Sequence, residues 1–117
     1  MKNKTITIYY NPRCSKCRET AALVREHGYT TELIEYLLNP PKKEVLQKLL
    51  LMLDMKPLEL IRQGDTIFKQ QYAGKTLTDE EWLTAMVEHP VLIERPIVVL
   101  GEKAVVARPP EKILSIL

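Results

Sequence analysis

Histidine and cysteine are scarce in this chain, with two of each in 117 residues. A structural zinc site takes four ligands, either as two cysteine pairs or as cysteines with nearby histidines. His27 and His89 stand far apart and in no ligand spacing, so no metal is expected. The cysteines, Cys14 and Cys17, have only two residues between them. A bridge across so small a loop constrains the unfolded chain little, which argues against a stabilising staple. Long apolar runs are missing too: the most apolar stretch, Leu49 to Leu53, is far short of a membrane span. No sign of charge dominates, with 17 basic and 15 acidic residues and a net charge of +2. That balance gives no case for nucleic acid or an anionic membrane as partner. The start, MKNKTITIYYNP, is basic but has no long apolar stretch and no small-residue cleavage site. No signal peptide is read, and the expected compartment is the cytoplasm, where thiols stay reduced. Repeats, low-complexity runs and flexible linkers are also absent from the sequence.

What is present describes a folded chain. Apolar residues make up 45% and charged ones 27%, and the length suits one domain over residues 1–117 with a real core. TITIYY, Thr5 to Tyr10, is β-branched and aromatic and predicts a strand. Asn11-Pro12 stops it in a turn. From Ser15 to His27 the pattern is helical, with Cys17, Ala21 and Val24 on one face and Gly28 as the stop. TELIEY, Thr31 to Tyr36, predicts a second strand, parallel to the first through a right-handed crossover.

The middle reads as helical, roughly residues 42–89. Pro40 and Pro41 open a segment with Val45, Leu46, Leu49, Leu50 and Leu53 on one broad face. A shorter helix is expected over Leu58 to Arg62, interrupted by QGD at Gln63 to Asp65, and QYAGKT at Gln71 to Thr76 is the most loop-like stretch. Thr78 and Glu81 form a capping box for a helix burying Trp82, Leu83, Met86 and Val87. Strands return at Pro96 to Leu100 and Lys103 to Ala107, joined at Gly101-Glu102 as a hairpin. Pro109 and Pro110 begin a last helix with Ile113, Leu114 and Leu117 inward. The order predicts an α/β fold of thioredoxin-like arrangement: a four-stranded mixed sheet with flanking helices and a helical insertion.

Cys14 therefore falls in the turn after a strand, at the first turn of a helix. The first N–H groups of a helix lack internal partners, and the helix dipole adds partial positive charge there. Both favour a thiolate and a bound oxyanion. Arg13, Lys16 and Arg18 surround the pair and are expected to push the same way. Cys14 is thus the candidate nucleophile. Cys17 has two readings, a resolving thiol one turn along the helix or a buried packing residue.

IYYNPRCSKCRET, ELIRQ, ERPIVVL and ARPPEKIL, in that order, resemble the arsenate reductase family of the glutathione- and glutaredoxin-coupled type. The likeness runs from Ile6 to Leu117. It implies that Cys14 attacks arsenate, that Arg62, Arg95 and Arg108 bind the oxyanion, and that Pro96 is the cis-proline facing the active site. It also implies glutathione as co-substrate, glutaredoxin or thioredoxin as protein reductant, and no tightly bound cofactor; a monomer is expected. Arginine suits this task because its planar, permanently charged fork matches the oxygens of such an anion. The chain departs from many relatives in two places. Tyr10 stands where histidine precedes Asn-Pro, and Cys17 adds a second thiol that a glutathione-coupled cycle does not need. The Cys-x-x-Cys pair resembles instead the Spx-type regulators, which use it as a redox switch while binding RNA polymerase. A redox-switch regulator is therefore the alternative expectation, and Asn11-Pro12 with Arg108-Pro109-Pro110 favours the reductase.

Overall fold

β1 (Thr5–Tyr10) alternates its side chains, so Ile6 and Ile8 share one face and are fully buried. The structure is a computed structural model and describes residues 4–117; the basic start at residues 1–3 lies outside them. The chain divides into two compact units. One comprises the chain up to Asn39 together with Arg95–Leu117, the other Pro40–Glu94.

In the first unit β1 leads through α1 (Ser15–Glu26) to β2 (Thr30–Glu35), which runs parallel to it in register Thr5 with Thr30 to Tyr10 with Glu35. β3 (Ile97–Leu100) lies antiparallel on the other side of β1, and β4 (Lys103–Val106) antiparallel to β3. The sheet order β2-β1-β3-β4 is the expected four-stranded mixed sheet of the thioredoxin-like arrangement. Ile6, Ile8 and Val98 of the sheet pack with Ala21 and Val24 of α1 and with Ala107, Ile113 and Ile116. Full burial of each larger aliphatic side chain is worth about 1.5–3 kcal/mol. Gly28, with φ of +87°, and Gly101, with φ of +63°, supply the left-handed turns that end α1 and link β3 to β4.

The last segment differs from expectation. Pro110–Ser115 is a 3-10 helix rather than an α-helix. With three residues per turn, Ile113 and Ile116 fall in line and are buried, while Leu114 is left exposed and Leu117 only partly covered.

The second unit holds α2 (Lys43–Leu53), α3 (Thr66–Gln71) and α4 (Asp79–Glu88), with 3-10 turns at Pro57–Leu60 and Pro90–Leu92. Leu46, Leu49, Leu50, Leu60, Phe68, Trp82, Leu83, Met86 and Leu92 are buried. Val45 and Val87, expected inside, lie at the edges of their helical faces and are exposed. The helix expected over Leu58 to Arg62 is the 3-10 turn instead; Ile61 leaves it in extended conformation and bridges Ile93. α3 was not expected. Its only buried residue is Phe68, so no apolar periodicity announces it, and Asp65 caps it by accepting the Ile67 N–H at 2.9 Å. The Thr78–Glu81 capping box is formed as read, with N–H donations of 3.1 and 2.9 Å. No helix among the described residues is long and apolar enough to cross a membrane.

Candidate active site

The turn before α1 is built by Asn11. Its carbonyl accepts the Cys14 N–H at 2.9 Å, and its side-chain Oδ1 accepts the Arg13 N–H at 3.0 Å. Proline, at the second turn position, has its φ pre-set for this geometry. Arg18 reaches back from α1 and donates through Nη1 to the Pro12 carbonyl at 2.8 Å. Cys14 is then the N-cap, extended at φ −90°, ψ 120°, with its carbonyl accepting the Arg18 N–H at 3.1 Å. A thiol occupies the position where serine, threonine, aspartate or asparagine usually caps.

The sheet register brings two arginines to the same end. Tyr9 near the end of β1 pairs with Ile97 at the start of β3, which pairs with Val106 at the end of β4. Arg95 and Arg108 lie two residues beyond that pair on either strand. Arg108 Nη1 lies 3.8 Å from Cys14 Sγ and also donates to the Arg95 carbonyl at 3.3 Å. The Arg95–Pro96 bond is cis, and the Pro96 carbonyl accepts the Ala107 N–H at 3.0 Å. A second cis bond, Arg108–Pro109, was not foreseen. The repeated Arg-Pro dipeptide was the available signal.

Cys14 is nearly buried at 9% exposure and Cys17 wholly so, and neither is in a disulfide. Burial raises the Cys14 pKa. The Cys17 backbone N–H, the Cys17 thiol and the Arg95 guanidinium outweigh it, so the Cys14 thiol sits below its usual range. Cys17 goes the other way. Burial, reinforced by the neighbouring Cys14 sulfur, pushes it up to about 12, against the opposing Asn11 N–H and Arg95. The Asn11 N–H approaches Cys17 Sγ at 3.5 Å.

The cation that lowers Cys14 is therefore distant in sequence. Of the neighbouring cations, Arg18 is turned onto Pro12, and Lys16 Nζ lies 3.9 Å from Glu19. Tyr10 packs against the core cluster. Arg62 belongs to the second unit. Its guanidinium lies 3.5 Å from Asp65 and 4.0 Å from Glu94, and Nη1 donates to the Val91 carbonyl at 3.3 Å. Among the described residues no cluster of three or more histidine, cysteine, aspartate or glutamate side chains is placed to hold a metal ion.

Cys14, Cys17, Arg95 and Arg108 thus come together around one helix N-terminus, with the cis Pro96 directly after Arg95. A family model for the ArsC family matches residues 9–116, a span holding all of them. The chain belongs to the ArsC family. Relatives repeat the match over nearly full length. The uncharacterized protein YfgD of Escherichia coli (strain K12) is 44% identical over 115 residues, 97% of each chain. The arsenate reductase of Rhizobium meliloti (strain 1021) is 40% identical over 114 residues, 97% of this chain and 81% of that one. The solved structure of an arsenate reductase from Vibrio cholerae superposes with a TM-score of 0.95 at 40% identity. It covers 99% of this chain and 100% of its own. The ArsC match takes in Asn11-Pro12 and the Arg-Pro dipeptides alike, and so joins the cysteine turn to the far end of the sequence.

Proposed function

We propose that this protein is a thiol-dependent arsenate reductase. The observation that carries the proposal is the sulfur of Cys14, the N-cap residue of α1, with Arg108 Nη1 at 3.8 Å, in a chain 40% identical to a named arsenate reductase. A helix N-terminus with guanidinium groups beside it favours a tetrahedral oxyanion. The same groups favour the thiolate that attacks it.

In the proposed cycle arsenate binds at the start of α1 against Arg95 and Arg108. The Cys14 thiolate bonds to arsenic, and one arsenate oxygen leaves with two protons as water. Arsenic is still pentavalent in this adduct. A second thiol then attacks Cys14 Sγ, the sulfur–arsenic bond breaks, and its electron pair leaves with arsenic as arsenite. Two thiols lose two electrons and one arsenic gains them. Glutathione as co-substrate and glutaredoxin as protein reductant are the partners the family resemblance supports, with no tightly bound cofactor, in a cytoplasmic monomer. Arg62 enters as third oxyanion ligand on resemblance alone, since Asp65 and Glu94 already share its charge. A redox-switch regulator of the Spx type is not favoured, because the Rhizobium meliloti relative and the Vibrio cholerae structure, each matched over nearly all of this chain, bear the name arsenate reductase.

The test is arsenite formation from arsenate with glutathione and glutaredoxin, repeated with thioredoxin and its reductase. Protein-dependent arsenite supports the reading, and the better reductant names the partner. No arsenite with any of the thiol systems overturns it.

A further inference from the structure

We infer that Cys17 is the resolving thiol of this site: once Cys14 has bonded to arsenic, Cys17 attacks Cys14 Sγ and leaves a Cys14–Cys17 disulfide. The inference rests on the proposed arsenate chemistry and deepens it, because the second thiol of the cycle then comes from the chain itself.

Cys14 caps α1 and Cys17 lies three positions on, one helical turn away on the same side. Side chains so placed have Cβ atoms about 5–6 Å apart, and a disulfide forms across about 3.5–4.5 Å, so a modest adjustment of the first turn closes the gap. The two sulfurs already interact, each altering the other's proton affinity. Cys17 is fully buried, so an external thiol or oxidant has no direct access to it. The Asn11 N–H pointed at Cys17 Sγ at 3.5 Å is a donor that a purely packing sulfur does not need. Beside an attacking sulfur it stabilises the thiolate.

The electrostatics set the order of events. Burial is the largest influence holding Cys17 protonated, and the Cys14 sulfur adds to it. When Cys14 spends its charge on arsenic, that second influence goes. What remains against burial is the Asn11 N–H and Arg95, both of which favour the Cys17 thiolate. Cys17 is therefore held more firmly as a thiol while Cys14 is a free nucleophile and less firmly once Cys14 is in the adduct.

The balance closes within one chain. The Cys17 thiol gives its proton to solvent, its sulfur bonds to Cys14 Sγ, and the sulfur–arsenic bond breaks with its electron pair on arsenic. Arsenic departs as trivalent arsenite, reduced by the two electrons the cysteines lost. An external thiol of the glutathione or dithiol-protein class then reduces the disulfide by exchange.

The experiment is a single turnover. Protein is fully reduced, freed of small thiols and mixed with arsenate alone. The expected result is one arsenite per chain, loss of both titratable thiols, and a non-reduced mass lower by two hydrogens. Cys17→Ser and Cys17→Ala, each shown folded by circular dichroism, are expected to release no arsenite under those conditions. If wild-type protein makes arsenite only when glutathione is added, Cys17 merely packs, and the inference falls while the reductase reading stands. If no arsenite forms in either case, the reductase reading falls and the arsenic step with it, and oxidation with diamide in the presence of glutathione decides whether Cys17 resolves Cys14. An intramolecular disulfide then supports Cys17 as the resolving thiol; glutathione on Cys14 with Cys17 alkylated once the protein is unfolded overturns it.

Discussion

At the scale of single residues, the two cysteines are chemically unlike although three positions apart. Cys14 is held low by donors and by Arg95, and Cys17 is held high by burial. A thiol with a depressed pKa is charged in a pH range where a free thiol is neutral. Its alkylation rate then reaches its plateau at a lower pH than a free thiol's and falls as pH drops through the folded pKa. In a Cys17→Ala variant, which keeps the Cys17 N–H, the midpoint of iodoacetamide reactivity is expected below the free-thiol value of about 8.5. Adding Arg95→Gln removes the cation and should move that midpoint upward. An unchanged midpoint would take Arg95 out of the electrostatic account. Arg95→Lys and Arg108→Lys keep the charge but lose the planar fork. Each is expected to cost about 2–4 kcal/mol of transition-state stabilisation, a fall in kcat/KM of about 30- to 900-fold. Near-normal kcat/KM in both variants would place the oxyanion site elsewhere.

At the scale of elements, the strand–turn–helix around Cys14 was legible because each signal is local. The β-branched run, Asn-Pro and the apolar spacing of Cys17, Ala21 and Val24 need no distant partner. The capping box was legible for the same reason. Replacing Thr78 by alanine is expected to cost about 1 kcal/mol, read as a lower urea midpoint with an unchanged m-value. Elements defined by packing were harder. α3 buries only Phe68, and the last segment reads as an α-helix until its 3-10 spacing is seen to align Ile113 with Ile116. That alignment has a measurable consequence. Ile113→Ala should destabilise by about 2–5 kcal/mol, whereas Leu114→Ala should have only a small effect. Equal losses would argue for an α-helical segment with both residues inside.

At the scale of the whole molecule, the site is a product of sheet register more than of the cysteine motif. Tyr9, Ile97 and Val106 lie side by side, so the chain leaves β1, enters β3 and leaves β4 at one end of the sheet. That is why residues as distant in sequence as Cys14 and Arg108 meet at 3.8 Å. Local pattern could nominate both arginines, but no local pattern could say which cation acts on Cys14. Composition pointed to Arg13, Lys16 and Arg18, whose side chains are next in sequence; the fold brings up Arg95 instead. Arg62 shows the same limit, because its neighbours Asp65, Val91 and Glu94 emerge only from the folding of the second unit. The central claim is that the Cys14 thiolate reduces arsenate. Arsenite release by wild-type protein and by Cys14→Ser, with arsenate and reductant in excess, tests it most directly. The account predicts steady arsenite production by the wild type and none above the protein-free rate by Cys14→Ser. Equal production by the two proteins would contradict it.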